Sequence, residues 1–157
     1  NLKMTLPSSG AISLNNVNIE LNRSGTTTVS LNDSDVRTLF GKASGSISMS
    51  DGYGKTNRVS LSYTFSSDTQ NASLDITTLS GYVSGHSDIT VYVNSLVWLY
   101  STSTGNAGLT ISGGSSGDLL TIVNQGVIMG MGGKGGATNT VGSNGGSALS
   151  ILSLIHI

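Results

Sequence analysis

The sequence lacks cysteine altogether, has a single proline (Pro7), and draws only 10% of its 157 residues from Asp, Glu, Lys and Arg. Without cysteine there is no disulfide framework and no thiolate metal site. Seven basic residues stand against eight acidic ones, a net charge of -1, which leaves no electrostatic footprint for nucleic acid or for an anionic membrane surface. No apolar run approaches the roughly 20 residues that span a bilayer; the longest, 148–157, is broken by Ser150, Ser153 and His156. Membrane insertion is therefore not expected. Residues 1–10 have neither the charged start nor the apolar centre of a signal peptide. The two histidines, His86 and His156, are 70 residues apart with no second imidazole at ligand spacing, so neither a metal site nor a cofactor is expected.

What is abundant is Ser, Thr, Asn, Gly and β-branched residues. Low net charge with many β-branched residues describes an ordered, hydroxyl-rich β protein rather than a disordered chain. A threefold repeat opens it: Ile12-Ser13-Leu14-Asn15-Asn16, Val29-Ser30-Leu31-Asn32-Asp33 and Ile47-Ser48-Met49-Ser50-Asp51, with starts 17 and 18 residues apart. Each copy alternates like a half-buried strand and ends in residues able to cap a helix, so the unit reads as strand, cap and short helical turn. The second copy predicts a helix over 34–40 with Val36, Leu39 and Phe40 on one face and Gly41 as its stop; 17–21 is a weaker candidate, and 52–55 is too glycine-rich for one. The apolar residues Ile12, Leu14, Val36, Leu39 and Phe40 are the candidate docking surface of this region, which is too small to bury them well alone.

From Arg58 the pattern changes to strict alternation. Val59, Leu61, Tyr63 and Phe65 share one face of a predicted strand, and further strands read at 72–79, 88–93, 96–101, 108–112 and 118–124, separated by Ser/Gly/Asn/Asp turns. Short, evenly spaced, half-buried strands predict a small antiparallel β-sandwich, with Trp98 as its buried anchor.

Between Gly126 and Gly146 nine of 21 residues are glycine, and Met131, Lys134 and Ala137 stand three apart with glycines between. A period of three is that of polyproline-II geometry, in which glycine alone tolerates close backbone neighbours. One proline excludes collagen. Two readings stay open: a polyglycine-type helix packed on others, with Gly130, Gly132, Gly133, Gly135 and Gly136 as its scaffold, or a flexible glycine loop. Residues 148–157 then resume an apolar strand pattern and stop within it, which reads as a chain continuing past Ile157.

Apparent catalytic motifs fail on context. Gly130-Met131-Gly132-Gly133-Lys134-Gly135 fits G-x-G-x-x-G, but no helix pattern follows to hold a pyrophosphate, and Gly135 stands where a phosphate loop needs Ser or Thr. Ser84, His86 and Asp88 form a Ser/His/Asp grouping that a serine-rich chain produces by coincidence. The carboxylates mostly abut turn residues, where Asp bonds to nearby backbone. No catalytic, cofactor or metal residue is assigned, and the chain is not expected to be an enzyme.

Two stretches carry a resemblance. The repeat region, through Leu6-Pro7-Ser8-Ser9-Gly10, Asp33-Ser34-Asp35-Val36-Arg37 and Ser50-Asp51-Gly52-Tyr53-Gly54-Lys55, resembles a segment near the start of tailed-bacteriophage tail fibre and tail-tip proteins. The stretch from Gly117-Asp118-Leu119-Leu120 through Gly130-Met131-Gly132-Gly133-Lys134-Gly135-Gly136 resembles the glycine-rich entry of T-even-type distal adhesins, although those have many glycine runs and this chain one clear run and a sparse second, 142–146. The resemblance implies a virion tail protein for assembly and host attachment, with other tail proteins and a host surface receptor, protein or polysaccharide, as partners. Fibres of that kind are commonly homotrimers and the tip adhesins monomers, so both states stay open. The expected organisation is a docking module at 1–55, a sandwich at 56–125 and a glycine-rich distal segment at 126–157. The alternative is a virion-associated carbohydrate-binding module or envelope polysaccharide hydrolase component, which needs an exposed aromatic platform or paired acids; aromatics are only 5%.

Overall fold

The computed structural model describes residues 6–152, and the chain divides into two compact units, one up to Arg58 and one from Val59 onward. In the first unit each copy of the repeat closes on itself. The backbone N–H of Ser13, Ser30 and Ser48 donates to the side chain three residues on, Asn16, Asp33 and Asp51, at 2.9, 3.1 and 2.9 Å. Ser13 thereby caps helix α1 (Leu14–Glu20) in a capping box with Asn16, and Ser48 caps a 3-10 turn (Met49–Gly52) in the same way with Asp51. The second copy forms a turn ahead of α2 (Ser34–Phe40), which Gly41 ends in the left-handed conformation, φ 71°.

The strands expected in each copy are absent among the described residues of this unit. The physical reason is local: the Asn or Asp side chain takes the N–H that a strand would offer to a neighbour. Val17, Val36, Leu39, Phe40 and Leu6 form the unit's core, with Ile12, Leu21, Val29, Leu31, Ile47 and Met49 packed against it. Gly52 lies under the Phe40 ring, where an added Cβ would stand 2.6 Å from Cζ.

Among the described residues the second unit has nine strands: β1 (Val59–Phe65), β2 (Thr69–Gln70), β3 (Ala72–Asp75), β4 (Ser87–Val93), β5 (Trp98–Tyr100), β6 (Leu109–Ser112), β7 (Leu119–Asn124), β8 (Val127–Met129) and β9 (Leu149–Leu152). They form three parallel sheets, β1-β4-β7, β2-β5-β8 and β3-β6-β9. The chain visits the three sheets in rotation and returns to each one layer higher. That is three turns of a parallel β-solenoid, in which every turn stacks only on its neighbours.

Register stacks aliphatic residues across the first and third sheets and sets Thr69 beside an aliphatic pair in the second. Leu61, Ile89 and Leu120 align across the first sheet, Thr69, Leu99 and Ile128 across the second, and Leu74, Ile111 and Ile151 across the third. The aliphatic side chains of these rows meet in one core; in the middle turn Val91, Val93, Leu99, Leu109 and Ile111 have no exposure. Buried polar groups tie the corners: Asp118 accepts from the Ser87 and Ser115 N–H groups at 3.0 and 2.8 Å and from the Tyr82 hydroxyl at 2.6 Å. Burial, together with the neighbouring Asp118 carboxylate, raises the Tyr82 phenol above its ordinary range.

The fold remains mainly β, but the antiparallel sandwich is overturned by this wholly parallel pairing. Alternation reports only that one strand face is dry; it does not report the direction of the neighbouring strand. A polyglycine-type helix is likewise not shown: 130–148 hold no α-helix, 3-10 helix or strand and fold back as a hairpin. Trp98 is not the anchor either, being 47% exposed while Leu99 beside it is fully buried. In the expected strand 96–101, Leu96 instead occupies a turn with φ 65° and points outward, 88% exposed, so the inward residue of β5 is Leu99. Residues 153–157, the rest of the closing apolar pattern, lie outside the described residues.

Candidate functional site

Each turn of the solenoid crosses from its second strand to its third by a connection that lengthens along the chain. It is one residue, Asn71, in the first turn, then residues 101–108 in the second, then 130–148 in the third. The largest departure from the regular coil is therefore at one corner of the last turn.

There the chain runs out along 130–137, reverses at Asn139 with φ 65°, and returns along 140–147. Backbone bonds join the two limbs at every third residue: the N–H groups of Gly146, Ser143 and Thr140 donate to the carbonyls of Met131, Lys134 and Ala137 at 2.8, 2.9 and 2.9 Å. The Ser143 and Thr140 hydroxyl oxygens accept the Lys134 and Ala137 N–H groups at 2.7 and 3.0 Å. Gly130, Gly133 and Gly136 face the opposite limb so closely that an added Cβ would fall on the carbonyls of Gly146, Ser143 and Thr140. Around Gly132 and Gly135 there is no atom within 4 Å of that position. The five glycines singled out in the sequence thus divide into three that face the partner limb and two that face outward.

A cleft of about 490 Å³ opens beside this hairpin, lined by Thr102, Ser103 and Thr104 of the second-turn connection, by 131–134, and by Ser143. The volume falls in the range of small-ligand sites. Gly146 lies close to the Thr104 backbone, where an added Cβ would stand 3.1 Å away, and Asn71 fixes Thr102 by exchanging bonds of 2.8 and 3.0 Å with it. The lining includes four hydroxyl residues and Lys134, contains no carboxylate, and exposes more apolar than polar surface. Sequence reasoning missed the part played by residues 102–104, because a run of hydroxyl residues is no signal in a chain so rich in them.

In the N-terminal unit Val36, Leu39 and Phe40 are brought together in the core and Ile12 packs at its margin, while Leu14 is 45% exposed. The Ser84, His86, Asp88 grouping is not a catalytic array: His86 is buried with Nδ1 lacking a partner, and the Ser84 hydroxyl bonds to that of Ser115 at 2.6 Å. No group of three or more potential metal ligands is found among the described residues.

Residues 60–157 match the model of a family described as phage tail fibre adhesin Gp38. Neither a curated protein nor a solved structure matches the chain significantly.

Proposed function

The chain belongs to the phage tail fibre adhesin family, and from that premise we propose that it attaches the particle to its host by binding alone, through the hairpin corner of the last solenoid turn. As a member of that family it is a tail fibre protein of the virion tail, concerned with attachment to the host cell. The observation that supports the hairpin as the presenting element is its construction: a long excursion from a stacked scaffold, rigidified by bonds at every third residue, with side chains left free to face outward. Loops held on a rigid frame are where binding function concentrates.

The non-catalytic reading draws support from the carboxylates, several of which serve structure. Asp118 ties a corner, Asp75 binds the Thr77 hydroxyl and N–H at 2.6 and 3.0 Å, and Asp51 closes a capping box. The docking role assigned to the N-terminal unit would use Leu14 and the margin at Ile12 as its contact, with Val36, Leu39 and Phe40 as the packed support beneath; its partner would be another tail protein. One observation favours the saccharide-binding alternative, the exposure of Trp98 on the outer face of β5. The fluorescently labelled chain incubated with host cells should bind saturably, compete with particle adsorption and release no saccharide. Failure to bind, or progressive release of soluble sugar from the envelope, would overturn the proposal.

A further inference from the structure

We propose that the cleft beside the hairpin is a site for an acidic sugar, a saccharide unit carrying a carboxylate or phosphate. This rests on the attachment reading and assigns the chemistry that one part of the attachment surface recognises. The argument comes from the unspent hydrogen-bonding capacity of the lining. The Ser103 and Thr104 hydroxyls have no partner among the described residues. Ser143 Oγ accepts the Lys134 N–H and keeps its own hydrogen to donate. Thr102 Oγ1 accepts from Asn71 Nδ2 and likewise retains its hydrogen. No carboxylate pairs with the Lys134 ammonium among the described residues.

The lining residues thus bring four hydroxyls and one cation to a concave space whose exposed wall is mostly apolar, with no carboxylate among them. An oxygen-rich anion with an apolar ring face satisfies this combination of a few polar groups and a largely apolar wall; a cation does not. Met131 supplies the apolar wall against which the C–H face of a sugar ring packs, and Gly132 leaves the entrance open, with no atom near the place a side chain would occupy. Because the chain's net charge is only -1, anion selectivity would arise from this local arrangement rather than from a general positive field.

The test titrates the 157-residue chain with N-acetylneuraminic acid, glucose 6-phosphate and, as the neutral control, glucose, following backbone amides by NMR. The two acidic sugars should shift the amides of 132–134 and Ser143, and glucose should bind at least tenfold more weakly. Lys134→Gln should lose roughly tenfold or more in affinity for both acids, the fold-change expected for removing a hydrogen bond to a charged group. Gly132→Val, which has room in the fold, should block the cleft to the same ligands while leaving the remaining spectrum unchanged. Equal binding of glucose, undiminished binding by Lys134→Gln, or no binding of either acid overturns the proposal. Adsorption of the labelled chain to host cells is measured alongside. If the cells bind it but the acidic sugars do not, the cleft assignment fails and attachment stands; if neither binds, the attachment reading itself fails.

Discussion

Replacing Gly133 with Ala perturbs the hairpin at the point where its limbs come nearest. The new methyl would fall on the Ser143 carbonyl oxygen and lie 2.9 Å from the carbonyl carbon of Asn144. Ordinary carbon contacts lie at about 3.5–4.0 Å, so the limbs must separate by about 1 Å or the backbone must turn. That movement breaks or stretches the bonds from Ser143 N to Lys134 O (2.9 Å) and from Lys134 N to Ser143 Oγ (2.7 Å), and strains the one from Gly146 N to Met131 O (2.8 Å). At about 0.5–1.5 kcal/mol each for exposed neutral hydrogen bonds, the loss is roughly 1–4 kcal/mol, borne by the hairpin rather than by the solenoid core. Gly132→Ala is the internal control. Nothing lies within 4 Å of its Cβ position, and its effect should be neutral or about 0.4–1 kcal/mol stabilising through the unfolded chain. Amide hydrogen exchange at Ser143 and Gly146 reads the difference directly: protection should fall in Gly133→Ala and persist in Gly132→Ala. Equal protection in the two variants would refute the account of the limbs, and a flexible loop would give that result.

In the solenoid, Leu99→Ala should cost about 2–5 kcal/mol in denaturant unfolding because Leu99 has no exposure, whereas Trp98→Ala, at a side chain 47% exposed, should cost far less; the reverse order would restore Trp98 as the anchor. On the acid side, the Ser48 backbone N–H holds the Asp51 carboxyl below its usual range and the Thr77 hydroxyl and N–H do the same for Asp75. Folded pKa values below unfolded ones mean stability present above about pH 4 and lost as pH falls through the folded values. Asp75→Asn should therefore flatten part of the acid slope of the unfolding midpoint. At high pH the sign reverses: the raised Tyr82 phenol contributes stability below about pH 10 that is lost as pH rises through its folded pKa, so Tyr82→Phe should flatten the alkaline limb.

Much of this structure is legible in the sequence at the level of single elements. The strand expected over Val59–Phe65 matches β1, and the helix expected over Ser34–Phe40 with Gly41 as its stop matches α2. Both signals are local, periodicity in one and capping in the other. What the sequence hid was the pairing. The aligned residues Leu61, Ile89 and Leu120 stand 28 and 31 positions apart, and an interval near 30 is a solenoid's signature. It is faint here because the connections between turns vary so widely in length. Trp98 was misjudged because bulk and an apolar neighbourhood suggest burial, while the pleat gives the inside to Leu99. The glycine spacing could not say which glycines face the other limb, since that depends on the reversal at Asn139.

The central claim is attachment through the hairpin corner, and the most direct measurement is the adsorption rate of particles carrying this chain with 131–146 replaced by a two-residue Asn-Gly turn. The replaced segment lies between β8 and β9 and removes no strand residue, so the chain should still be present in purified tails. The account predicts intact tails containing the shortened chain and an adsorption rate reduced by roughly tenfold or more, a rise of about 1.4 kcal/mol in the barrier to adsorption. Adsorption at the unaltered rate by tails that contain the shortened chain would contradict it.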